Sequence, residues 1–115
     1  MIKTSYFGKY KGENAIAISL RTPKWFKGKH LPQLAPDQRL LYDWKVQNIN
    51  EKKYTKRFKN LIHSRNIFPE IIKSIPEDAV LLCWEKTGRF CHRNIIAELF
   101  RKHGVDVEEM QEEKI

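Results

Sequence analysis

A single small α/β domain with a short, mostly parallel sheet is the fold class that this 115-residue sequence predicts. Two apolar runs and one helical stripe carry the prediction. Ala15 to Leu20 and Ala79 to Trp84 are small or apolar nearly throughout, the pattern of strands covered on both faces. Beyond the second run, Ile95, Ile96, Leu99 and Phe100 fall on one helical face, so the stretch from Ala79 to Phe100 reads as strand, tight loop and helix. A hydrophobic content of 41% at this length supports one modest core. Residues 1–107 are expected to form the domain, and 108–115 an acidic tail that frays.

Taken in order, Ile2 to Phe7 is a first strand that ends at Gly8 in a basic turn running through Gly12. The second strand lies within Asn14 to Leu20. The connection, about six to eight residues, is shorter than a helical crossover, so an antiparallel pairing of these two strands stays open. The following RTPKWFKGKHLPQLAPDQ is expected to hold no regular element, because Pro23, Pro32 and Pro36 each remove a donor and fix the backbone. Its Trp25 and Phe26, set among Arg21, Lys24, Lys27 and Lys29, suit stacking on a base, a lid, or simple anchoring of the loop to the core.

Pro36-Asp37 then opens a helix with Leu40, Leu41 and Trp44 as its buried stripe. Asn50 caps the next, in which Tyr54, Phe58, Leu61 and Ile62 share one face, while Lys52, Lys53, Lys56, Arg57 and Lys59 take the remainder. Pro69 to Ile75 is a short helix leading into the central strand. The last helix runs from Cys91 to a stop at Gly104, after Arg101, Lys102 and His103 in its final turn. Val105 to Val107 adds an edge strand.

The net charge is +8, and residues 106–115 hold five acids against one lysine, which leaves the rest of the chain at +12. A body this basic attracts polyanions: nucleotides, nucleic acid or an acidic protein, the latter two through the Lys52–Lys59 helix face, or that face is simply solvated. A basic surface with wide aromatic loops also suits a homodimer. No apolar run reaches the length of a membrane span, and MIKTSYFGKYKGE has no uninterrupted apolar core of signal-peptide length, so a cytoplasmic protein with no membrane partner is expected. In that compartment Cys83 and Cys91 read as thiols rather than a structural disulfide, although they approach each other if the loop between them folds back.

The candidate site is the junction of the central strand and the last helix. Cys91, His92 and Arg93 fall at a helix start, where unpaired N–H groups and the dipole favour anions and lower a thiol's pKa. Cys83 and Glu85, at the strand's carboxyl end, aim at the same place, which is where open α/β sheets bind ligands. Cys91 is the candidate thiolate, His92 or Glu85 the proton carrier with Cys83 beside them, and Arg93 with Arg21 the anion clamp. Ser19, Trp25, Tyr6 and Lys86 border the site. Glu85 equally suits a salt bridge to Arg89 or Arg93 that holds the loop closed.

Two readings follow. One is a site acting on an anionic, nucleotide-like ligand through Cys91. The other is a non-enzymatic binder, in which the cysteines are small buried hydrophobes and the ligand is a sequestered nucleotide, nucleic acid or, in the manner of phage proteins, a host defence protein. A metal site from Cys83, Cys91 and His92, with His30 or His63 as a fourth ligand, lacks any C-x-x-C pair. No metal and no other cofactor is therefore expected.

At LLCWEKTGRFCHRNIIAE the chain resembles domain of unknown function family 488 in its short form. TSYFGKY, SLRTPKWFKG, the LAP at Leu34 to Pro36, and Tyr54 with Phe58 extend the likeness in the same order over nearly the whole chain. The resemblance implies a compact three-layer sandwich of Rossmann-like layering and a shared site at Cys83, Glu85, Lys86, Cys91, His92 and Arg93. It implies no particular chemistry. Members occur in bacteria and their phages, and the long forms carry a helix where this chain has only the Lys9 to Gly12 turn.

Overall fold

The computed structural model describes residues 1–111. Strands β1 (Ile2–Tyr6), β2 (Ala15–Ala17), β3 (Lys29–His30), β4 (Val80–Cys83) and β5 (Val107–Glu109) form one all-parallel sheet in the order β3-β2-β4-β1-β5. Helices α1 (Gln38–Lys45), α2 (Glu51–Arg65), α3 (Phe68–Ser74) and α4 (His92–Lys102) complete an α/β fold of Rossmann-like layering, the class expected. No helix among the described residues is long and apolar enough to cross a membrane.

The open question of β2's direction resolves as parallel, because β1 and β2 are not neighbours. Strand β4 lies between them, with Tyr6 beside Cys83 and Ala17 beside Leu82. Residues 7–14 bridge that gap, and eight extended residues reach about 27 Å, more than the roughly 17 Å length of a five-residue strand.

Alternation sorts the two sheet faces. Ile2, Ile16, Ile18, Leu81 and Val107 pack in one cluster with the buried faces of the helices. Phe7, Ala15, Ala17, Val80 and Leu82 form a second cluster covered by Tyr10, Phe26 and Met110. All four helices contribute to the first cluster only, so the third layer consists of loop segments, in keeping with the short Lys9 to Gly12 turn. Strand β4 continues into α4 on the helical face, whereas the connections after β1 and β2 supply the loop layer. This divergence opens a crevice outside the strands' carboxyl ends.

Two elements differ from expectation. The edge strand expected at Val105 to Val107 lies instead at Val107–Glu109, and the Met110 N–H donates to the Thr4 carbonyl. The remainder of the expected acidic tail, 112–115, lies outside the described residues. The proline-rich segment holds the two-residue β3 and a 3₁₀ turn at Pro32–Leu34, since Pro32 suits the first position of such a turn. Gly28 precedes β3 for a steric reason: a Cβ there would sit 2.8 Å from the Ala15 carbonyl oxygen.

Asn50 caps α2 as expected, whereas Asp37, expected in the first turn of α1, is its N-cap. Asp37 accepts from the Leu40 N–H and Asn50 from the Lys53 N–H. Tyr54, Phe58 and Ile62 are buried along α2, and Leu61 is half-buried beside them. The buried Asp43 accepts from Arg57 at 2.7 Å and ties α1 to α2. Gly104 follows α4 with a positive φ of 80°.

Candidate functional site

Above the carboxyl ends of β2 and β4 lies a cavity of about 370 Å³. Ser19, Leu20 and Arg21 enter it from the end of β2, Cys83 and Glu85 from β4, and Phe90, Cys91 and His92 from the approach to α4. Helices α1 and α2 supply the opposite wall with Leu41, Trp44, Lys45 and Tyr54. The wall is aromatic: Trp44, Tyr54 and Phe90 stand with ring centroids 4.9–5.4 Å apart. Charge is confined to Arg21, Lys45 and Glu85, all exposed. A volume of this order suits a small ligand.

Of the ten residues expected at the site, six line this cavity: Cys83, Glu85, Cys91, His92, Ser19 and Arg21. The reason is the loop 84–90, which folds back and sets the end of β4 against the start of α4. Cys83 and Cys91 consequently meet, and their sulfurs stand in disulfide contact, which corrects the expectation of two separate thiols. The Ser19 hydroxyl donates to the Arg21 carbonyl and so shapes the turn rather than reaching outward.

His92 is held in one tautomer. Its Nε2 lies 2.6 Å from the Ile18 carbonyl oxygen, which can only accept, so Nε2 carries the proton and Nδ1 keeps a lone pair. Nδ1 lies 3.6 Å from Cys91 Sγ. Burial pushes the His92 pKa down to about 4, against the opposing effect of the Ile18 hydrogen bond and with help from the Arg93 charge. The ring is therefore neutral at pH 7. The Phe58 ring packs edge-on against it, centroids 5.6 Å apart.

Arg93 has a different place from the one expected. It is fully buried, and its guanidinium forks onto the Glu109 carboxylate, Nε to Oε1 at 3.0 Å and Nη2 to Oε2 at 2.8 Å. Nη1 donates to Cys83 Sγ at 2.8 Å and to the Glu85 carbonyl. Its charge is thus committed within the fold, and the side chain supports the cysteines instead of facing the cavity as an anion clamp. The Glu85 carboxylate is likewise not its partner; only the Glu85 carbonyl is.

Trp25, Tyr6 and Lys86 also lie off the cavity. Trp25 belongs to the loop layer, packed edge-on against Phe7 and Phe26, with the Lys11 ammonium 4.7 Å from its ring centroid. These contacts anchor the loop, and the ring is still 48% exposed. Tyr6 pairs with Cys83 in the sheet without lining the cavity, and Lys86 is exposed on the 84–90 turn. On α2, Lys59 is engaged by Glu98 and Arg57 by Asp43, which leaves Lys52, Lys53 and Lys56 as the exposed part of the basic face.

Three donor atoms, Cys83 Sγ, Cys91 Sγ and one His92 ring nitrogen, lie within 4.8 Å of one another, so the pattern that sequence spacing disfavoured is brought together by folding. His30 is elsewhere, its Nε2 against the Ser19 carbonyl. Sequence reasoning missed Lys45, Phe90, Trp44 and Tyr54 as cavity residues.

The model of the DUF488-N3a family, described as the active DUF488-N3 subclade, matches residues 9–104. The chain belongs to the DUF488 family. The match takes in Cys83, Glu85, Cys91, His92 and Arg93 but stops short of Glu109, the residue that binds Arg93. Neither the search of curated proteins nor that of solved structures returned a match.

Proposed function

We propose that this DUF488 domain takes up an anionic, nucleotide-like molecule in the cavity and acts on it at the end where Cys91 sits. One observation carries the reading: a single cavity brings together an aromatic wall, two exposed cations and a buried Cys–Cys–His cluster. Trp44 and Phe90 offer π-faces to a planar base. Arg21 and Lys45 at the mouth meet the anionic group, a role that Arg93 leaves vacant because Glu109 holds it. Reduced Cys91, at the start of α4, supplies the thiolate on which turnover depends.

Native mass spectrometry of freshly purified protein tests this, followed by denaturation and identification of what is released. A phosphorylated compound of nucleotide size, lost in Trp44→Ala and Arg21→Ala, is the expected result. Bare chain, together with no thermal shift from any nucleotide, overturns the proposal. Cys91→Ser then separates action from binding, since an enzyme loses turnover and a sequestering protein keeps its ligand. The same spectrum reads the oligomeric state, for which the basic, aromatic-looped surface suits a dimer.

A further inference from the structure

The geometry points to a site for a thiophilic divalent cation of the zinc class, formed by Cys83 Sγ, Cys91 Sγ and His92 Nδ1 in the reduced protein, with one coordination position open to the cavity. The inference rests on the cavity reading above and names what stands at its reactive end. Three observations carry it.

The first is the donor set. Two sulfurs and an imidazole nitrogen lie within 4.8 Å of one another; the two sulfurs, in contact here, must move apart on reduction, while the 3.6 Å from Cys91 Sγ to His92 Nδ1 already spans the edge of about 3.6 Å expected for a tetrahedron with Zn–S of about 2.3 Å and Zn–N of about 2.05 Å. The second is the surrounding shell. His92 donates its other ring N–H to the Ile18 carbonyl, which leaves the lone pair of Nδ1 on the side of the sulfurs. Arg93 donates to Cys83 Sγ and is itself neutralised by Glu109, so a dication with two thiolates completes a neutral buried cluster. The third is the backbone frame. The Cα atoms of Cys83 and Cys91 are 7.7 Å apart, wider than the about 4.4–6.8 Å usual for disulfides, and a frame this wide accommodates two separate sulfurs on one ion.

Loading requires the pair to be reduced. A dithiol reductant donates two electrons and two protons to the Cys83–Cys91 bond and leaves as its own cyclic disulfide. The cation then displaces the two thiol protons to solvent. With three protein ligands the site resembles catalytic rather than structural zinc centres, and the polar end of the cavity's occupant takes the fourth position.

Titration of the reduced protein with cobalt(II) chloride tests the assignment. One equivalent should bind with the sulfur-to-metal charge-transfer and intense visible bands of a tetrahedral thiolate site. One equivalent of zinc chloride should then bleach those bands and slow alkylation of Cys91 by iodoacetamide at least tenfold. Oxidised protein should show neither effect. Cys83→Ser, Cys91→Ser and His92→Gln should each weaken binding by more than the roughly 10–100-fold typical of second-shell losses. Circular dichroism identifies variants that do not fold, and the wild-type zinc protection then decides alone. Absence of the bands, or alkylation indifferent to zinc, overturns the site. Nucleotide binding in the same samples separates the claims: metal without nucleotide overturns the cavity reading, and nucleotide without metal overturns only this one.

Discussion

Arg93, fully buried at the start of α4, and Glu109, on the edge strand near the chain's end, meet as a two-pronged ion pair at 2.8–3.0 Å. Thr4 and Thr87 donate to the same carboxylate. One carboxylate therefore ties β1, the 84–90 loop and the helix that carries Cys91 to β5. The shape of the cavity's inner wall depends on this knot.

Breaking the knot is costly because the cation left behind has no access to water. Glu109→Gln should destabilise the fold toward the lower end of the about 3–5 kcal/mol typical of a broken buried pair, since Glu109 itself is partly exposed. Urea denaturation measures this. A loss within about 0.5 kcal/mol, the scale of ordinary surface substitutions, would contradict it.

The same carboxylate sets an acid limit. Burial raises the Glu109 pKa, but hydrogen bonds from Arg93, Thr4 and Thr87 and the Arg93 charge outweigh it and hold the pKa below the ordinary 4.5. The folded pKa is depressed, so this contribution to stability is full above 4.5 and is lost as pH falls through the lower folded value. The urea midpoint of the wild type should drop in that acid window. Glu109→Gln should remove that part of the drop.

Phe58 holds the His92 ring and anchors α2 in the core, with no exposed surface. Phe58→Ala should cost about 3–5 kcal/mol. Phe58→Leu, which keeps more of the volume, should cost less. A urea series that placed the two variants within error of each other would mean that this side chain does not fill the core as described.

Two of the three tryptophans should behave oppositely. Trp44→Ala should weaken nucleotide binding about fivefold or more, as loss of a stacking face worth about 1–3 kcal/mol requires. Trp25→Ala, in the loop layer, should leave affinity within twofold. Isothermal titration with the nucleotide identified by mass spectrometry makes the comparison, and equal losses would contradict the assignment of the cavity.

Gly28→Ala should destabilise by about 1–3 kcal/mol, because the new methyl would lie 2.8 Å from a backbone oxygen that β2 holds in place. Thermal melting of the variant checks this directly.

How much of this was legible in the sequence depended on the range of each signal. The Asn50 cap, the Tyr54–Phe58–Ile62 stripe and the strand-loop-helix around Cys91 are local patterns, and they are readable; Asp37 reads as a first-turn acid and is in fact the cap one step earlier. The insertion of β4 between β1 and β2 is a pairing across more than sixty residues that no local period records. Glu109 escaped notice because an acid in an acidic terminal stretch reads as solvated, and its buried partner lies sixteen residues away. Arg93 was recognised as important but given the wrong partner, since residue type announces a guanidinium's appetite for a carboxylate or phosphate without saying which is nearer. Trp44 reads as an ordinary core residue because packing and ligand stacking ask for the same rings.

The most direct measurement is the rate at which iodoacetamide alkylates Cys91 in reduced protein, free of added metal, with and without nucleotides. The account predicts that at least one nucleotide slows alkylation several-fold in the wild type and loses that protection in Trp44→Ala and Arg21→Ala. A rate unchanged by every nucleotide tested would contradict the claim that the cavity holds such a ligand against Cys91.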